Sequence, residues 1–474
     1  MKVGTKFKKK RLNWELNFMQ DTFRIQQDYF ANQPVNTPAK RIENLKRIKQ
    51  EVLAQKDQLI EAMSDDFGFR SKYDSLFGDI ISTVNCLNYC IKNIKKWTKP
   101  EKRSAGLLLS PAKVWIEYQP LGVVGIISPW NFPVMLSIGA IAYAISAGNC
   151  VMLKMSEETP HTNKVVSDIL STVFRPEEVA VITGGSEIAA EFSRLPFNHL
   201  LFTGSTAIGK KVMQAAAMNL TPVTLELGGK SPVIIDSKID INEAVSRIIM
   251  GKCLNAGQIC IAPDYVLLPK GRQDEFVAAY KNKFNQLFKA DNYTDIINTK
   301  QFDRIQGLIT DAKSKGAKVI ECCDFDGGRK MSTKLLTGVN GDMQVMKEEI
   351  FGPLLPIVSY DDITQAIAYV NERDRPLALY IMSFDSNFQK EVLSQTHSGG
   401  VGINEVVMHF AADDLPFGGV GQSGMGRYHG VEGFKTFSNS RAILKRGRFF
   451  NTGKVAQPPY GTFVQNILLK FFLR

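Results

Sequence analysis

The sequence predicts an α/β fold built from two domains, each with helices packed against a mostly parallel sheet. The chain has 474 residues, which is too long for one ordinary core and favours two domains. Its composition, 44% hydrophobic and 22% charged, is typical of a globular protein with a large core. Short apolar or β-branched runs alternate with helix-like segments from residue 113 to 235, and the alternation then starts again. This pattern is typical of βαβ units around a parallel sheet.

The predicted elements follow in order along the chain. Residues 40–65 place apolar side chains at spacings close to three and four, which predicts one or two amphipathic helices. The first group of strands is predicted in VWIEYQPLGVVGIISP, NCVMLKM, EEVAVITGG, NHLLFTGS and SPVIID. The second group is predicted in YVLLP, AKVIE, LPIVSY and LALYIMS, with helices over 240–256, 272–289 and 300–315. Ligands of such sheets bind at the carboxyl ends of the strands.

The last segment, FVQNILLKFFLR, has a different pattern. Its apolar residues follow an i, i+3, i+4, i+7, i+8 spacing, which predicts one amphipathic helix. About a dozen residues are too few to span a bilayer, which takes around 20. The helix could pack on the protein or on a partner subunit, or it could lie on a membrane with help from KRGR at 445–448. We favour packing over peripheral membrane contact.

Cysteine and histidine usage argues against several classes of protein. The seven cysteines include no C-x-x-C pair, which argues against a disulfide scaffold or a zinc site and favours a reducing compartment. The five histidines form no H-x-x-x-H pair, so we assign no metal. The amino terminus has basic residues but no apolar run of secretory-signal length after them. We therefore expect a cytoplasmic protein.

The net charge of +11 lies largely at the two ends of the chain, in KFKKKR (6–11) and KRGR (445–448). A basic balance can indicate binding to nucleic acid or to an anionic surface. Neither end interleaves aromatic residues with its basic ones, and no zinc-finger or helix-turn-helix spacing accompanies them. We expect no nucleic-acid partner and interpret the charge as a solvated face or an attraction for an anionic cofactor or lipid.

The segment LLFTGSTAIGKKV (200–212) predicts a strand, a glycine turn and a helix. The amino terminus of such a helix can bind an anion through its free amides and its positive dipole end. The spacing from Gly204 to Gly209 and Lys210 nearly matches a Walker loop, but Lys211 stands where a serine or threonine should be. Thr206 also breaks the dinucleotide G-x-G-x-x-G pattern. A simple strand-to-helix connection remains an equal alternative.

Three further residues carry chemistry that a catalyst could use. Glu226 ends a strand between leucines, where partial desolvation would raise its pKa and suit it to a general base, although a surface glutamate is the alternative. Cys260, in NAGQICIAPD, lies in a loop next to amide donors, which suits a nucleophile, whereas Cys253 continues a helix and is expected to be buried. Asn131 could donate to an oxyanion or simply form a turn before Pro133.

A thiol, a base, an amide donor and a dinucleotide-type α/β domain are the parts of one reaction. With them, the sequence resembles the NAD(P)-dependent aldehyde dehydrogenase superfamily. Within the superfamily the sequence resembles the class-3 branch in two segments, GQICIAPDYV and MHFAADDLPFGGVGQSGMGRYHG. It looks most like the bacterial coniferyl aldehyde dehydrogenases in two others, FGFRSKYDSLFGDI and PVMLSIGAIAYAISAGN. The motifs stand in family order from about 115 to 440: PWNFP (129–133), FTGS (202–205), LELGGKSP (225–232), GQIC (257–260), EEIFGP (348–353) and LPFGGVGQSGMGR (415–427).

The resemblance implies a role for each candidate. Cys260 would attack the aldehyde carbon, and the side-chain amide of Asn131 and the backbone amide of Cys260 would hold the oxyanion. Hydride transfer to the cofactor would leave a thioester, and Glu226 would activate the water that hydrolyses it to a carboxylic acid. The implied cofactor-binding residues are Ile127, Trp130, Lys154, Glu157, Gly204, Ser205, Leu227, Glu349 and Phe351.

The resemblance also suggests which nicotinamide cofactor is used. Lys154 and Glu157, in LKMSE, would bracket the adenosine ribose, with Met155 where the family usually has a proline. A carboxylate near the ribose would accept a hydrogen bond from a 2′-hydroxyl and repel a 2′-phosphate. We expect NAD to be preferred, with NADP as the alternative.

The implied architecture is a Rossmann-type cofactor domain, a second α/β catalytic domain and a small oligomerisation region. We expect a homodimer acting on a small-molecule aldehyde, either aromatic, such as coniferyl aldehyde, or medium-chain aliphatic. The predicted ranges are 1–99 and 121–229 for the dinucleotide-binding domain, 230–419 for the catalytic domain, 100–120 and 420–445 for the oligomerisation region, and 446–474 for the tail.

Two other functions fit parts of the sequence. GSTAIGKK could be the phosphate loop of a nucleoside-triphosphate-binding protein, but Lys211 and the lack of a nearby Walker-B strand ending in Asp argue against it. A catalytically idle scaffold with this fold is the other alternative. The joint presence of thiol, base and amide argues against that one.

Overall fold

The computed structural model describes residues 2–33, 35–325, 327–448, 451, 453 and 456–473. Side chains are described from residue 12 onward, so those of KFKKKR lie outside the described part, as do residues 449, 450, 452, 454, 455 and 474 of the predicted tail. The helices are α1 (Lys2–Asn32), α2 (Pro38–Ala54), α3 (Lys56–Phe67), α4 (Lys72–Asp74), α5 (Ser82–Trp97), α6 (Gly106–Leu109), α7 (Ala140–Ala147), α8 (Pro160–Val173), α9 (Ser186–Phe192), α10 (Thr206–Ala217), α11 (Ile241–Cys253), α12 (Gln273–Leu287), α13 (Thr299–Ser314), α14 (Gln344–Lys347), α15 (Ile363–Asn371), α16 (Ser386–Gln395), α17 (Gly430–Thr436) and α18 (Phe463–Phe472).

The strands form three sheets. They are β1 (Glu101–Arg103), β2 (Lys113–Pro120), β3 (Val123–Ile127), β4 (Cys150–Lys154), β5 (Val179–Ile182), β6 (His199–Thr203), β7 (Val223–Glu226), β8 (Pro232–Ile235), β9 (Tyr265–Pro269), β10 (Lys318–Glu321), β11 (Lys334–Thr337), β12 (Leu354–Tyr360), β13 (Ala378–Met382), β14 (Gly400–Ile403), β15 (Gly424–Met425) and β16 (Ser438–Lys445). The predicted α/β class is confirmed, and the predicted strands and helices match this order within a few residues.

The first sheet has the order β15-β7-β6-β3-β4-β5 and is parallel except for β15. Its strands are buried on both faces, as expected for a parallel sheet covered by helices. On one face, α1 contributes Met19 and Phe23 to a cluster that includes Val123 and Phe197. Gln26 of the same helix donates to the Val151 carbonyl at 3.0 Å. The amino-terminal helix is therefore part of this domain.

The second sheet has the order β10-β11-β12-β9-β8-β13-β14 and is parallel except for β10. Its first strand along the chain, β8, follows β7 after only five residues but belongs to the other sheet. The alternation alone placed SPVIID in the first group of strands, and the structure corrects that grouping, whereas the predicted catalytic range of 230–419 already contains this strand. The link 227–231 thus joins the two sheets close to the candidate base Glu226.

The third sheet pairs β1, β2 and β16 and stands apart from the two parallel sheets. It uses residues from 100–120 and 420–445, the two ranges that the resemblance assigns to oligomerisation. Two residues of the second range, Gly424 and Met425, lie elsewhere. They form β15, which pairs with β7 and extends the first sheet. Sheet topology therefore places Gly424–Met425 beside the cofactor domain, while the assignment of the remaining residues stays a prediction.

Local sequence signals account for several helix ends. Thr37 accepts a hydrogen bond from the Lys40 amide, and Pro38 occupies the first helical position of α2. Asp240 caps α11 in the same way through the Glu243 amide. Helix α7 ends at Gly148, whose φ of +97° is a left-handed conformation that favours glycine.

A buried ion pair connects the amino-terminal helices to the PWNFP segment. Arg70 Nη2 and Asp79 Oδ2 are 2.9 Å apart, and both side chains are fully buried. Asp79 Oδ1 also accepts hydrogen bonds from the amides of Val134 and Met135, each at 3.0 Å. The Arg70 guanidinium lies over the Phe132 ring. This pair therefore holds the backbone that follows Asn131.

The predicted amphipathic tail helix is present as α18. Its apolar side chains are largely exposed, and Gln465 is its one buried residue among those the structure describes. Within the described residues the body of the same chain does not cover this apolar face, and packing on a partner subunit stays a prediction. Among the described helices, none is long and apolar enough to cross a membrane.

The Arg70–Asp79 pair gives a stability prediction. Replacing Asp79 with Asn should lower the free energy of unfolding by about 3–5 kcal/mol, because the Arg70 charge would stay buried without its partner. Urea unfolding followed by tryptophan fluorescence measures the change. Asp168→Asn is the control, because the Lys164–Asp168 pair is exposed and should contribute less than about 1 kcal/mol. Equal losses in the two variants would contradict the assignment.

Candidate active site

The site begins at the carboxyl ends of four neighbouring parallel strands. In β3 and β4, Ile127 pairs with Lys154, and in β6 and β7, Thr203 pairs with Glu226. Strand β3 also pairs with β6, which brings Ile127 opposite Phe202. Four sequence motifs therefore end at one edge of the first sheet, which is where ligands of open α/β sheets bind.

The loop that carries Cys260 has an unusual backbone. Asn255, Ala256 and Gly257 have φ values of +51°, +52° and +74°, a run of left-handed residues that costs conformational energy. A Cβ on Gly257 would lie 2.6 Å from the Gly352 carbonyl oxygen, so this close approach requires glycine. The surrounding hydrogen bonds keep the backbone in this strained conformation.

Gln258 supplies most of those bonds. Its side-chain amide donates to the carbonyls of Asn255 and Asp295 at 2.9 and 3.1 Å, and its Oε1 accepts from the Ile297 amide at 3.0 Å. Gln258 is fully buried. The loop that precedes Cys260 is thus a buried, packed segment.

Cys260 is partly exposed, unlike its neighbours Ile259 and Ile261. Burial raises the pKa of its thiol, and the nearby carboxylates of Glu349 and Glu226 raise it further. The backbone amides of Cys260 and Ile261 oppose this effect through hydrogen bonds to the sulfur. Both carboxylates therefore lie close enough to the thiol to influence its charge.

Cys253 is buried as predicted, at the end of α11. Its sulfur lies 3.5 Å from Thr333 Oγ1 and 3.7 Å from the Tyr280 hydroxyl. Burial raises its pKa to about 12. The surroundings of this thiol are those of a packed core residue, not of a nucleophile that a substrate can reach.

Asn131 lies beside the Cys260 loop and is buried. Its Nδ2 donates to the Gln258 carbonyl at 3.1 Å, and the Asn131 carbonyl accepts from Asn255 Nδ2 at 3.1 Å. Nδ2 carries two hydrogens, so this contact leaves a second donor. The structure thus joins PWNFP to the thiol loop, two segments more than 120 residues apart in sequence.

Glu226 is a buried carboxylate whose two oxygens lack a hydrogen-bond partner among the described residues. Burial raises its pKa well above the usual range, and the positive charge of Arg427 acts in the opposite direction. Tyr428 lies within the electrostatic influence of both Glu226 and Cys260. A carboxyl group in this environment can accept a proton near neutral pH.

Lys230 and Asp264 form a buried ion pair that ties three motifs together. Lys230 Nζ also donates to the carbonyls of Val345 and Glu348 at 2.8 and 3.0 Å. Asp264 Oδ2 accepts from the Ile350 amide at 2.9 Å. The pair therefore fixes the EEIFGP segment against both LELGGKSP and the residues that follow Cys260.

The Glu349 carboxylate is held at that junction. Burial, together with the neighbouring Asp264 carboxylate, raises its pKa to about 8. Its Oε1 is buried without a partner, and a Cβ on Gly228 would lie 1.9 Å from its Oε2. Such a carboxylate can accept hydrogen bonds from the hydroxyls of a ribose. Phe351, two residues on, has a φ of +46°, a strained conformation for a bulky residue.

The turn between β6 and α10 fits a phosphate group. Ser205 is the amino-terminal cap residue of α10, and its side chain makes no capping hydrogen bond. The Gly204 amide donates to the Glu226 carbonyl at 3.0 Å, which holds the turn beside the candidate base. Leu227 packs against Gly209 in α10. A Cβ on Gly209 would lie 2.6 Å from the Leu227 side chain, so there is no room for one.

The remaining cofactor candidates fall into two pairs. Lys154 Nζ lies 3.8 Å from Glu157 Oε2, with Lys154 buried and Glu157 46% exposed. Burial lowers the pKa of Lys154. The Trp130 and Phe351 rings meet edge to face with their centroids 5.3 Å apart. The site thus offers a helix amino terminus, a buried carboxylate and a lysine-carboxylate pair, which fits a dinucleotide.

Sequence reasoning missed several residues that support this site. Lys230 lies in LELGGKSP and Asp264 in GQICIAPDYV, close in sequence to Glu226 and Cys260. That proximity could have identified them as residues of the site. Arg427 also ends a quoted motif, but its electrostatic effect on Glu226 depends on the fold. Arg70 and Asp79 carried no local signal, because their importance comes from pairing inside the core.

Comparisons with known proteins agree with this arrangement. The family model described as "Aldehyde dehydrogenase family" matches residues 24–443. The protein named "Probable coniferyl aldehyde dehydrogenase" of Pseudomonas aeruginosa is 47% identical over 464 residues, which covers 97% of each chain. The expected resemblance, including its subfamily, is confirmed.

Solved structures match equally well. The structure titled "Substrate bound state of Staphylococcus Aureus AldH" superposes with a TM-score of 0.89 at 35% identity and covers 95% of this chain and 99% of that one. An aldehyde dehydrogenase of Mycobacterium tuberculosis complexed with NAD+ has a TM-score of 0.83 at 28% identity, covering 91% and 92%. Family model, relatives and fold all agree that this chain belongs to the aldehyde dehydrogenase family, enzymes that oxidise aldehydes.

Proposed function

We propose that the chain oxidises an aldehyde to a carboxylic acid with NAD, using Cys260 as nucleophile, Asn131 as oxyanion donor and Glu226 as base. The observation that carries this proposal is the partly exposed thiol of Cys260, whose pKa the buried carboxylates of Glu349 and Glu226 raise and whose loop is bonded to the buried amide of Asn131. Family membership supports the reaction class. The residue roles follow from how each group is held.

In the first step, Cys260 Sγ bonds to the aldehyde carbon and the carbonyl oxygen becomes an oxyanion. The backbone amide of Cys260 and the free Nδ2 hydrogen of Asn131 would donate to that oxygen. Glu226 is suited to take the thiol proton, because burial has already raised its pKa. Fixed donors cost no reorganisation when the charge develops, and this is why the rigid loop matters.

Bound NAD would supply the acceptor for the hydride that leaves the aldehyde carbon, and the oxidised carbon would remain on Cys260 as a thioester. Glu226 would then remove a proton from water as the water attacks the thioester carbon. Breaking the C–S bond releases the carboxylic acid and returns the thiol. One carboxylate can serve both steps if it releases the thiol proton to solvent before the water attacks and then gives the water proton to the departing thiolate.

The cofactor would be held by the groups at the strand ends. The amino terminus of α10, with Gly204 and Ser205, is suited to the pyrophosphate, and Glu349 to the nicotinamide ribose. Lys154 and Glu157 would face the adenosine ribose. The rest of the cofactor site would be lined by Ile127, Trp130, Leu227 and Phe351.

We also propose an aromatic substrate. Tyr380 donates from its hydroxyl to the Ile261 carbonyl at 2.6 Å, directly after Cys260, and its ring lies 5.9 Å from that of His409. The rings of His409 and Phe417 are 6.0 Å apart. Both ring nitrogens of His409 are buried without a partner among the described residues, so a phenolic group could use one of them. The coniferyl aldehyde dehydrogenase name of the relative agrees with such a substrate.

The quaternary structure belongs to this proposal as well. Strand β16 forms one edge of the three-stranded sheet, and six of its eight residues are exposed. An exposed edge of this length can pair with a second copy of the chain. We propose a homodimer located in the cytoplasm, where seven free cysteines would stay reduced.

The first prediction separates the two cysteines. Cys260→Ala should lower kcat for aldehyde oxidation by at least about a thousandfold, because no thioester can form. Cys253→Ala should retain most of the activity, since its sulfur lies in the core. The assay follows NADH formation at its absorbance wavelength. Equal losses in the two folded variants would refute the choice of Cys260.

A second prediction concerns Glu226. Glu226→Gln should still form the acyl-enzyme but hydrolyse it about a hundred- to ten-thousandfold more slowly, because the amide cannot accept a proton. Rapid-mixing kinetics should show a burst of NADH followed by a slow steady state. In the unchanged enzyme, hydrolysis should speed up as the pH rises through the raised pKa of Glu226, and in the variant this rise should disappear. A variant without a burst would argue against a role in deacylation.

A third prediction concerns cofactor and substrate, tested together in one kinetic matrix. With cinnamyl, benzyl and fatty aldehydes and both cofactors, we expect the lowest KM for NAD and the highest kcat/KM for the cinnamyl aldehyde.

Glu157→Gln should lower the KM for NADP, because it removes the charge that repels a 2′-phosphate. A strong NADP preference in the unchanged enzyme would contradict the role of Glu157.

A further inference from the structure

Helix α18 exposes a broad apolar face. Phe463, Ile467 and Phe471 are 79%, 50% and 58% exposed, and Val464 and Phe472 are exposed on the same side. On a helical projection, these residues and Leu468 cover about half of the circumference. The polar residues Gln465, Asn466 and Lys470 lie on the other half, together with the exposed Leu469. A face this wide and apolar is costly to leave in water.

The helix is stabilised at its amino end by hydrogen bonds from side chains of its own segment. Thr462 and Gln465 form a reciprocal capping box, in which each side chain binds the backbone amide of the other residue. Gln465 also donates to the Gln457 carbonyl at 3.2 Å. The helix is therefore prepared to bind with its apolar face free.

The charge of the chain is concentrated around this helix and at the opposite terminus. Residues 441–474 contain seven Lys and Arg and no Asp or Glu, and residues 1–11 contain six basic residues and no acidic one. The long segment between them has 45 basic and 47 acidic residues. Lys445, Arg448 and Lys470 are exposed. The positive charge of this protein is thus a property of its two ends and not of the enzyme body.

We infer that α18 and the basic segment before it form a membrane-binding element that lies on the surface of an anionic bilayer. The apolar face would enter the boundary between headgroups and acyl chains, and the lysines and arginines would face the phosphates. At ten residues the helix is about 15 Å long, half the thickness of the hydrocarbon core. It can lie in the interface but cannot span it.

Charge argues against packing of this helix on the tail of a second copy of the chain. A second copy would bring another tail with the same excess of positive charge, so tail-to-tail packing would place like charges together. An anionic lipid surface is complementary to these charges and also accommodates the apolar face. A membrane-bound enzyme of this kind would meet aldehydes that partition into lipid.

The test is flotation of the full-length protein with vesicles. We expect binding to vesicles that contain phosphatidylglycerol, little binding to pure phosphatidylcholine, and release as salt is added. Phe471→Gln should lower the partition coefficient about tenfold, since it removes a large apolar side chain from the bound face. Asn466→Gln, on the polar face of the same helix, is the matched control and should bind like the unchanged protein. Oxidation of a soluble aldehyde should be the same in all three proteins.

Several outcomes would overturn the proposal. One is a failure of the unchanged protein to float with phosphatidylglycerol. Another is equal binding by Phe471→Gln, which would show that charge alone attracts the chain and that the helix face takes no part. A third is a fall in oligomeric state of Phe471→Gln in sedimentation analysis, which would show that the face packs on a second copy.

Discussion

The active site depends on one buried contact, the ion pair between Lys230 and Asp264. A charged pair inside a protein is favourable only when its remaining donors and acceptors are satisfied. Here they are satisfied by backbone groups of the EEIFGP segment, through the carbonyls of Val345 and Glu348 and the amide of Ile350. The pair therefore holds Glu349 near the thiol, and the separate motifs become one site.

The same burial sets the chemistry of the site. Glu226 and Glu349 are carboxylates with raised pKa values because few groups solvate their charge, and both raise the pKa of Cys260. Burial thus favours the neutral forms of both groups, and a carboxyl group with a raised pKa is suited to accept the thiol proton in the proposed first step. The strained loop around Gly257 and the buried pair of Arg70 and Asp79 keep the amide donors in place while this charge moves.

Much of the fold could be predicted from local patterns. Alternation of apolar runs predicted the strands and helices, because each parallel strand buries both faces and needs a crossover segment. The interpretation of Cys253 as a core residue followed from its place at the end of a helical pattern. The alternation alone grouped strand SPVIID with the strands before it, whereas its partners in the sheet, β9 and β13, come later in the chain. Local pattern carries no information about which surface an element meets.

By itself the sequence determined the order of the elements and the identities of the reactive groups, since periodicity and motif spacing are properties of the chain. The placement of Asn131 against Gln258, the desolvation of Glu226 and the pairing of Lys230 with Asp264 were decided only by tertiary structure. The physical reason is that pKa values, hydrogen-bond partners and exposure depend on which atoms surround a group. Those atoms come from segments more than a hundred residues apart, as with Asn131 and Gln258, or from loops that only folding brings together.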